Sequence, residues 1–177
     1  MGMGKIAWGI TGAGHFLRES LEIFSRLPRE RAEVFISRAG MEVLRMYSLN
    51  PPEKAVFDPS AATAACRSFA SGLYDVFVVA PATSNSVAKF ALGISDCMMS
   101  TLFAQCGKSR VPIIVLPSDA EENIDSMGAT KPLKIYPRPV DLENVGKLKI
   151  FPGVRVALSI QELEGFLEPY ITRTSDE

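Results

Sequence analysis

The segment YDVFVVAP, residues 74–81, constrains the fold most, because it carries no polar residue from Val76 to Ala80. Neither face of the strand it predicts is left for solvent. Such a strand belongs inside a parallel sheet with helices packed above and below it. KIAWGI (Lys5–Ile10), EVFIS (Glu33–Ser37), VPIIVLP (Val111–Pro117) and VRVAL (Val154–Leu158) supply further strands. Between them apolar residues recur at helical spacing over 15–27, 40–49, 61–70, 84–92, 97–106, 141–148 and 160–170. Pro51-Pro52 closes the second helix, since proline cannot continue its hydrogen-bond ladder. Residues 118–141 are rich in turn formers and show no period, apart from one candidate extended piece at LKIYP (Leu133–Pro137). Alternating strand and helix with buried strands predicts an α/β fold, a doubly wound (Rossmann-like) parallel sheet in a single domain over residues 1–171. The polar end TRTSDE, residues 172–177, is expected to be a mobile tail.

Composition narrows the partners. Lys+Arg number 19 and Asp+Glu 20, for a net charge of −1, so the chain lacks the basic surface that nucleic acid or an anionic membrane demands. No apolar run approaches the roughly 20 residues of a membrane helix. MGMGKIAWGI has no secretory n-region or cleavage site, and Ile6 stands where a myristoylation motif wants Ser or Thr, so the expected compartment is the cytoplasm. Cys66, Cys97 and Cys106 form no CxxC pair and predict neither a disulfide scaffold nor a metal centre. His15 is the only histidine.

In a sheet of this kind ligands bind beyond the carboxyl ends of the strands, so the loops there carry the functional reading. The first is GITGAGH, Gly9 to His15. Its glycines allow close approach of the backbone, and the helix start behind it offers unpaired donors to a phosphate. It departs from the dinucleotide fingerprint: in GAGHFL, Leu17 occupies the third small position, and the second strand ends in Ser37-Arg38 instead of an acidic residue. A hydroxyl and a cation suit a terminal phosphate better than a ribose diol. The third loop, APATSNS, follows the apolar strand with Thr83, Ser84, Asn85 and Ser86. These four either cap the next helix or face a ligand, and capping alone requires only one. Together the loops describe a site for a mononucleotide: one phosphate, one polyol and one planar ring with amide-like edges.

The stretch APATSNSVAKFALGISDCMMST, Ala80 to Thr101, resembles the flavin-binding segment of the homo-oligomeric flavin-containing cysteine decarboxylase superfamily. GITG at Gly9–Gly12 and Ser37 match that family's first loop and second-strand hydroxyl. The resemblance covers about residues 5–120. It implies FMN as cofactor, held by Thr11, Gly12, Ala13, Ser37, Thr83, Ser84, Asn85 and Ser86. Gly14, His15 and Arg38 join them as candidates from the same loops. The phosphate is expected on the first two loops and the flavin edge on the third.

Two departures separate the chain from the decarboxylases it resembles. Arg67 in ATAACRSFASG stands about where they carry an active-site His, and Leu-Pro-Ser-Asp-Ala (Leu116–Ala120) replaces their P-A-M-N substrate clamp. The flow GITGAGHFLRES, PATSNSVAKFALGISDCMMST and PRPVDLENVGKL is most similar to the archaeoflavoprotein branch, which includes flavin-dependent dihydromethanopterin reductases. That resemblance implies hydride transfer from reduced FMN to a pterin substrate. Electrons would come from an external donor, either a nicotinamide nucleotide or a redox protein. It also implies a homo-oligomer built from trimers. An electron-transfer flavoprotein without a pterin site is the alternative, ahead of a cysteine decarboxylase or flavin prenyltransferase. Met98 and Met99 suit either a subunit interface or the core, and Asp96 either a helix cap or a site residue.

Overall fold

The computed structural model describes residues 4–57 and 61–172; residues 173–177 of the expected tail lie outside the described residues. The elements run β1 (Lys5–Ile10), α1 (Leu17–Ser25), β2 (Ala32–Ile36), α2 (Arg38–Met46), α3 (Ala61–Ala70), β3 (Tyr74–Ala82), α4 (Ser84–Ala91), α5 (Met98–Ser109), β4 (Ile113–Pro117), β5 (Ile124–Met127), β6 (Pro132–Ile135), α6 (Pro139–Lys149), β7 (Val154–Val156) and α7 (Ile160–Ile171). Five strands form one parallel sheet in the order β2-β1-β3-β4-β7. Strands β5 and β6 pair antiparallel in a separate hairpin. This is the doubly wound α/β architecture that the buried strands predict.

Two apolar cores, one on each face of the sheet, explain why the strands lack polar alternation. Side chains of a strand alternate between faces. Ile6, Trp8 and Ile10 of β1, Val76, Val78 and Ala80 of β3, and Ile114 and Leu116 of β4 meet Leu17 and Ile23 of α1, Leu44 of α2, and Leu163 and Leu167 of α7. On the opposite face Ala7, Phe77, Val79, Ile113 and Val115 meet Phe69, Val87, Phe90, Leu102 and Leu148 from α3 to α6. Met98 and Met99 pack into this second core. Trp8 is fully buried, sits edge-on to Phe24 with ring centroids 5.7 Å apart, and donates its indole N–H to the Ala80 carbonyl at 3.0 Å.

The helix boundaries differ from the sequence expectation for local reasons. The first helix starts at Leu17 and not His15, because Phe16 takes a left-handed conformation (φ 63°). Ser37 ends no strand. It precedes α2 as its N-cap, with its Oγ accepting from the Gly40 N–H at 3.0 Å. The last-but-one helix gains two residues at its start: Pro139 tolerates the first helical position, and the Asp141 carboxylate accepts from the Arg138 N–H at 2.9 Å. The piece expected at LKIYP is β6, and its partner β5 was not anticipated. The Gly128 N–H donates to the Lys131 carbonyl at 2.9 Å to close the turn between them.

Candidate functional site

The sheet order places a crevice between β1 and β3. The chain leaving β1 turns into α1 on one face, while the chain leaving β3 turns into α4 on the other. Neighbouring loops that diverge in this way open the ligand crevice of a doubly wound sheet. All of the sequence-predicted residues lie on this rim: Thr11 to His15 after β1, Ser37 and Arg38 at the start of α2, and Thr83 to Ser86 at the start of α4.

On the first side the backbone lies against α2. A Cβ placed on Gly12 would meet Ala39 Cβ at 2.6 Å and the Ala39 backbone carbon at 3.2 Å, and one on Gly14 would collide with the Tyr47 hydroxyl. The N–H groups of Gly12, Ala13, Gly14 and His15 have no backbone acceptor among the described residues, and neither do those of Arg38 and Ala39 in the first turn of α2. Unpaired donors from a loop and a helix start therefore meet at the Gly12–Ala39 contact, which is the arrangement that receives an anion. The Ser37 oxygen is engaged as the α2 cap, and its hydroxyl hydrogen has no partner among the described residues. Arg38 does not close over the loop. Its side chain is 95% exposed and pairs with Glu42 at 3.4 Å.

On the second side the four polar residues divide two and two. Thr83 Oγ1 accepts from the Ser86 N–H at 3.1 Å and lies 3.0 Å from the Ser86 hydroxyl, so this pair caps α4. The side chains of Ser84 and Asn85 have no hydrogen-bond partner among the described residues, and their backbone N–H groups are unpaired as well. Lys89 points elsewhere: its ammonium donates to both Asp96 carboxylate oxygens at 2.8 and 2.9 Å. That hydrogen bond raises the lysine's pKa and lowers the aspartate's. Asp96 is thus a structural partner of Lys89 and of the α5 start, where Ser100 Oγ accepts from the Asp96 and Cys97 N–H groups at 3.1 Å each. Arg67 is exposed in the last turn of α3.

Sequence reasoning missed the β5–β6 hairpin as a part of this rim. Tyr47 donates its hydroxyl to the Met127 carbonyl at 3.1 Å, and His15 Nδ1 lies 3.1 Å from the Ser126 hydroxyl. Both contacts fasten the hairpin to the first loop and the end of α2. Gly128 and Pro132 flanking a short polar turn were the available signal, and four-residue strands carry too little pattern to exploit it. His15 is half-buried against Phe16, ring centroids 3.8 Å apart. Burial lowers its pKa below the ordinary 6.5, against the opposing pull of Glu19, Asp119 and Glu121.

This shift has a sign that can be tested. With the folded pKa depressed, the unfolded chain takes up the proton first. The stabilisation is therefore complete above the ordinary histidine value and is lost as pH falls through the lower folded value. His15→Gln, which retains hydrogen-bonding groups but cannot titrate, should flatten the pH dependence of unfolding free energy between about pH 7.5 and 5.5. Urea unfolding at several pH values checks this; an unchanged slope would contradict it.

A cleft of about 870 Å³ lies elsewhere, between α1, β2 and the chain after α2. Leu21, Phe24, Leu27, Val34 and Leu49 line it, and its rim carries the ion pairs Lys5–Glu33 and Arg29–Glu53, each at 3.6 Å. The carboxyl end of α1 faces this region, and its Glu22, Ile23 and Phe24 carbonyls already accept from the Ser25 hydroxyl and from the Arg26 and Leu27 N–H groups. Neither diverging loops nor a helix N-terminus serves it, so the switch-point rim remains the candidate site.

These features define a doubly wound α/β protein with a ligand crevice at its strand switch point. The chain belongs to the Flavoprotein family, whose model matches residues 1–171. An uncharacterized protein of Methanocaldococcus jannaschii is 33% identical over 178 residues, covering 94% of this chain and 96% of that one. The dihydromethanopterin reductase (acceptor) of Methanosarcina mazei is 39% identical over 142 residues, which is 71% of this chain but 59% of the reductase. Among solved structures, DmrB of Burkholderia xenovorans in complex with FMN, described as a cubic protein cage for redox transfer, matches with a TM-score of 0.83. It is 36% identical, and the match covers 94% of each chain.

Proposed function

We propose that this chain binds FMN at the switch-point crevice and acts as a flavin-dependent reductase, taking dihydromethanopterin to tetrahydromethanopterin. The observation that carries the cofactor assignment is the pairing of unpaired donors on both sides of the crevice: Gly12 and Ala13 with the start of α2 on one side, Ser84 and Asn85 on the other. The first set suits a phosphate, and the second suits the carbonyl and nitrogen edge of a flavin. One phosphate-binding loop without an acidic ribose partner suits a mononucleotide. The FMN bound by DmrB and the activity named for the Methanosarcina mazei reductase support the reading.

Bound FMN supplies two-electron chemistry that protein side chains lack. The chain's part is positional. The N–H groups of Gly12 and Ala13 and the hydroxyl of Ser37 hold the phosphate, while Ser84 and Asn85 orient the ring. The β5–β6 hairpin, fastened through Tyr47 and His15, screens the first loop from water. Electrons enter from an external donor, a nicotinamide nucleotide or a redox protein, and the chain works as a homo-oligomer built from trimers.

The test is anaerobic oxidation of the chemically reduced, FMN-loaded protein by dihydromethanopterin. Oxidation faster than that of free FMN at equal concentration is expected. Equal rates would contradict the reductase assignment and favour an electron-transfer flavoprotein.

A further inference from the structure

We infer that Thr11 is the positioning residue of the crevice, setting where the start of α4 stands relative to the first loop; this rests on the FMN reading above. The paired ladder between β1 and β3 ends at Gly9 and Val79. Beyond that point the sheet no longer determines how far apart the two loops lie. Register between β3 and β4 also breaks between Val79 and Ala82. Past the ladder, among the described residues, one indole bond from Trp8 to the Ala80 carbonyl and three bonds from Thr11 cross the switch point.

The Thr11 bonds use every hydrogen-bonding capacity that matters. The residue is 2% exposed. Its N–H and its hydroxyl both donate to the Pro81 carbonyl, at 3.2 and 2.9 Å. The hydroxyl oxygen accepts from the Thr83 N–H at 2.8 Å. Thr83 in turn caps α4 through Ser86, so Thr11, Thr83 and Ser86 form one hydrogen-bonded chain from the first loop into the helix. The Ser118 N–H donates to the Ala82 carbonyl at 2.8 Å and steadies the same segment from β4. Thr11 was expected among the residues touching the cofactor, but its hydroxyl is already spent inside the protein. It acts on a ligand through the spacing of Ser84 and Asn85 against Gly12 and Ala13.

A ligand that spans both loops should feel this tie. Thr11→Val keeps the shape and removes the hydroxyl, leaving the part-buried Thr83 N–H without its acceptor. Thr11→Ser keeps the hydroxyl. The dissociation constant for FMN should rise about 10- to 100-fold in the Val variant, the scale of one or two ligand hydrogen bonds lost to a displaced third loop, and should stay within about threefold of wild type in the Ser variant. The visible spectrum and midpoint potential of FMN bound to the Val variant should also move, because the third loop would present its donors differently; a merely structural role would leave both unchanged. Normal affinity and an unshifted spectrum in the Val variant, with only a lower melting temperature, would overturn the inference while leaving the FMN reading intact. A Val variant that does not fold beside a normal Ser variant would overturn it too, since the hydroxyl would then serve the fold alone. Failure of the wild-type chain to bind FMN would instead remove the reading on which the inference rests.

Discussion

Gly12→Val is expected to cost the protein nearly all of its FMN, with affinity down at least about 100-fold by the arithmetic of affinity, and to lower its stability. The new Cβ would lie 2.6 Å from Ala39 Cβ and 3.2 and 3.3 Å from the Ala39 backbone carbon and oxygen. None of these is the free end of a flexible side chain, so either the loop or the first turn of α2 must move. Overpacking of this kind costs about 1–3 kcal/mol. The movement separates the donors of Gly12 and Ala13 from those of Arg38 and Ala39, so binding should suffer more than folding. Gly107→Ala is the matched control: nothing lies within 4 Å of its would-be Cβ, and it sits in the last turn of α5. There the change should stabilise by up to about 0.5 kcal/mol, as alanine favours the helix. Equilibrium dialysis with FMN and thermal melts of the two variants check both expectations.

The other large effect is expected at Trp8. Its ring is fully buried on the α1 side of the sheet, and its N–H holds the Ala80 carbonyl at the end of β3. Trp8→Ala removes a large core side chain and should cost about 3–5 kcal/mol. For a domain of this length that is a fall in melting temperature of roughly 6–20 °C. Trp8→Phe refills most of the volume but leaves the carbonyl without its partner. It should cost about 1–3 kcal/mol, the scale of one buried unsatisfied group, and weaken FMN retention through the third loop. Chemical denaturation of both variants separates the volume effect from the hydrogen-bond effect. Equal losses in Ala and Phe would contradict this division.

The sheet was legible because its strands are covered on both faces. The runs at β1, β3 and β4 have few polar residues, and the structure keeps each within about two residues of the expected bounds. The helix starts were less legible, since they depend on backbone angles that no periodicity reveals: Phe16 delays α1 by turning left-handed, and Ser37 serves α2 instead of β2. Strand β5, the first half of the hairpin at 124–135, escaped notice for a different reason. Its inward residues Ile124 and Ser126 alternate with exposed Asp125 and Met127 over four positions, too few to stand out from a loop. Glycines and hydroxyls at strand ends marked the candidate site, yet their hydrogen-bonding roles within the protein were not legible. A sequence cannot distinguish the hydroxyls of Thr11, Thr83 and Ser86, which are taken up by bonds within the protein, from the side chains of Ser84 and Asn85, which have no partner among the described residues. Arg38 read as a phosphate cation and instead pairs with Glu42 in solvent.

In the proposed function a single flavin mononucleotide spans the first and third loops. The most direct measurement is the absorption spectrum of the purified chain, followed by denaturation and mass determination of whatever is released. The expected result is a yellow protein, or a colourless one that turns yellow on titration with FMN, releasing FMN at one molecule per chain. A chain that takes up no FMN, or that releases a dinucleotide in its place, would contradict it.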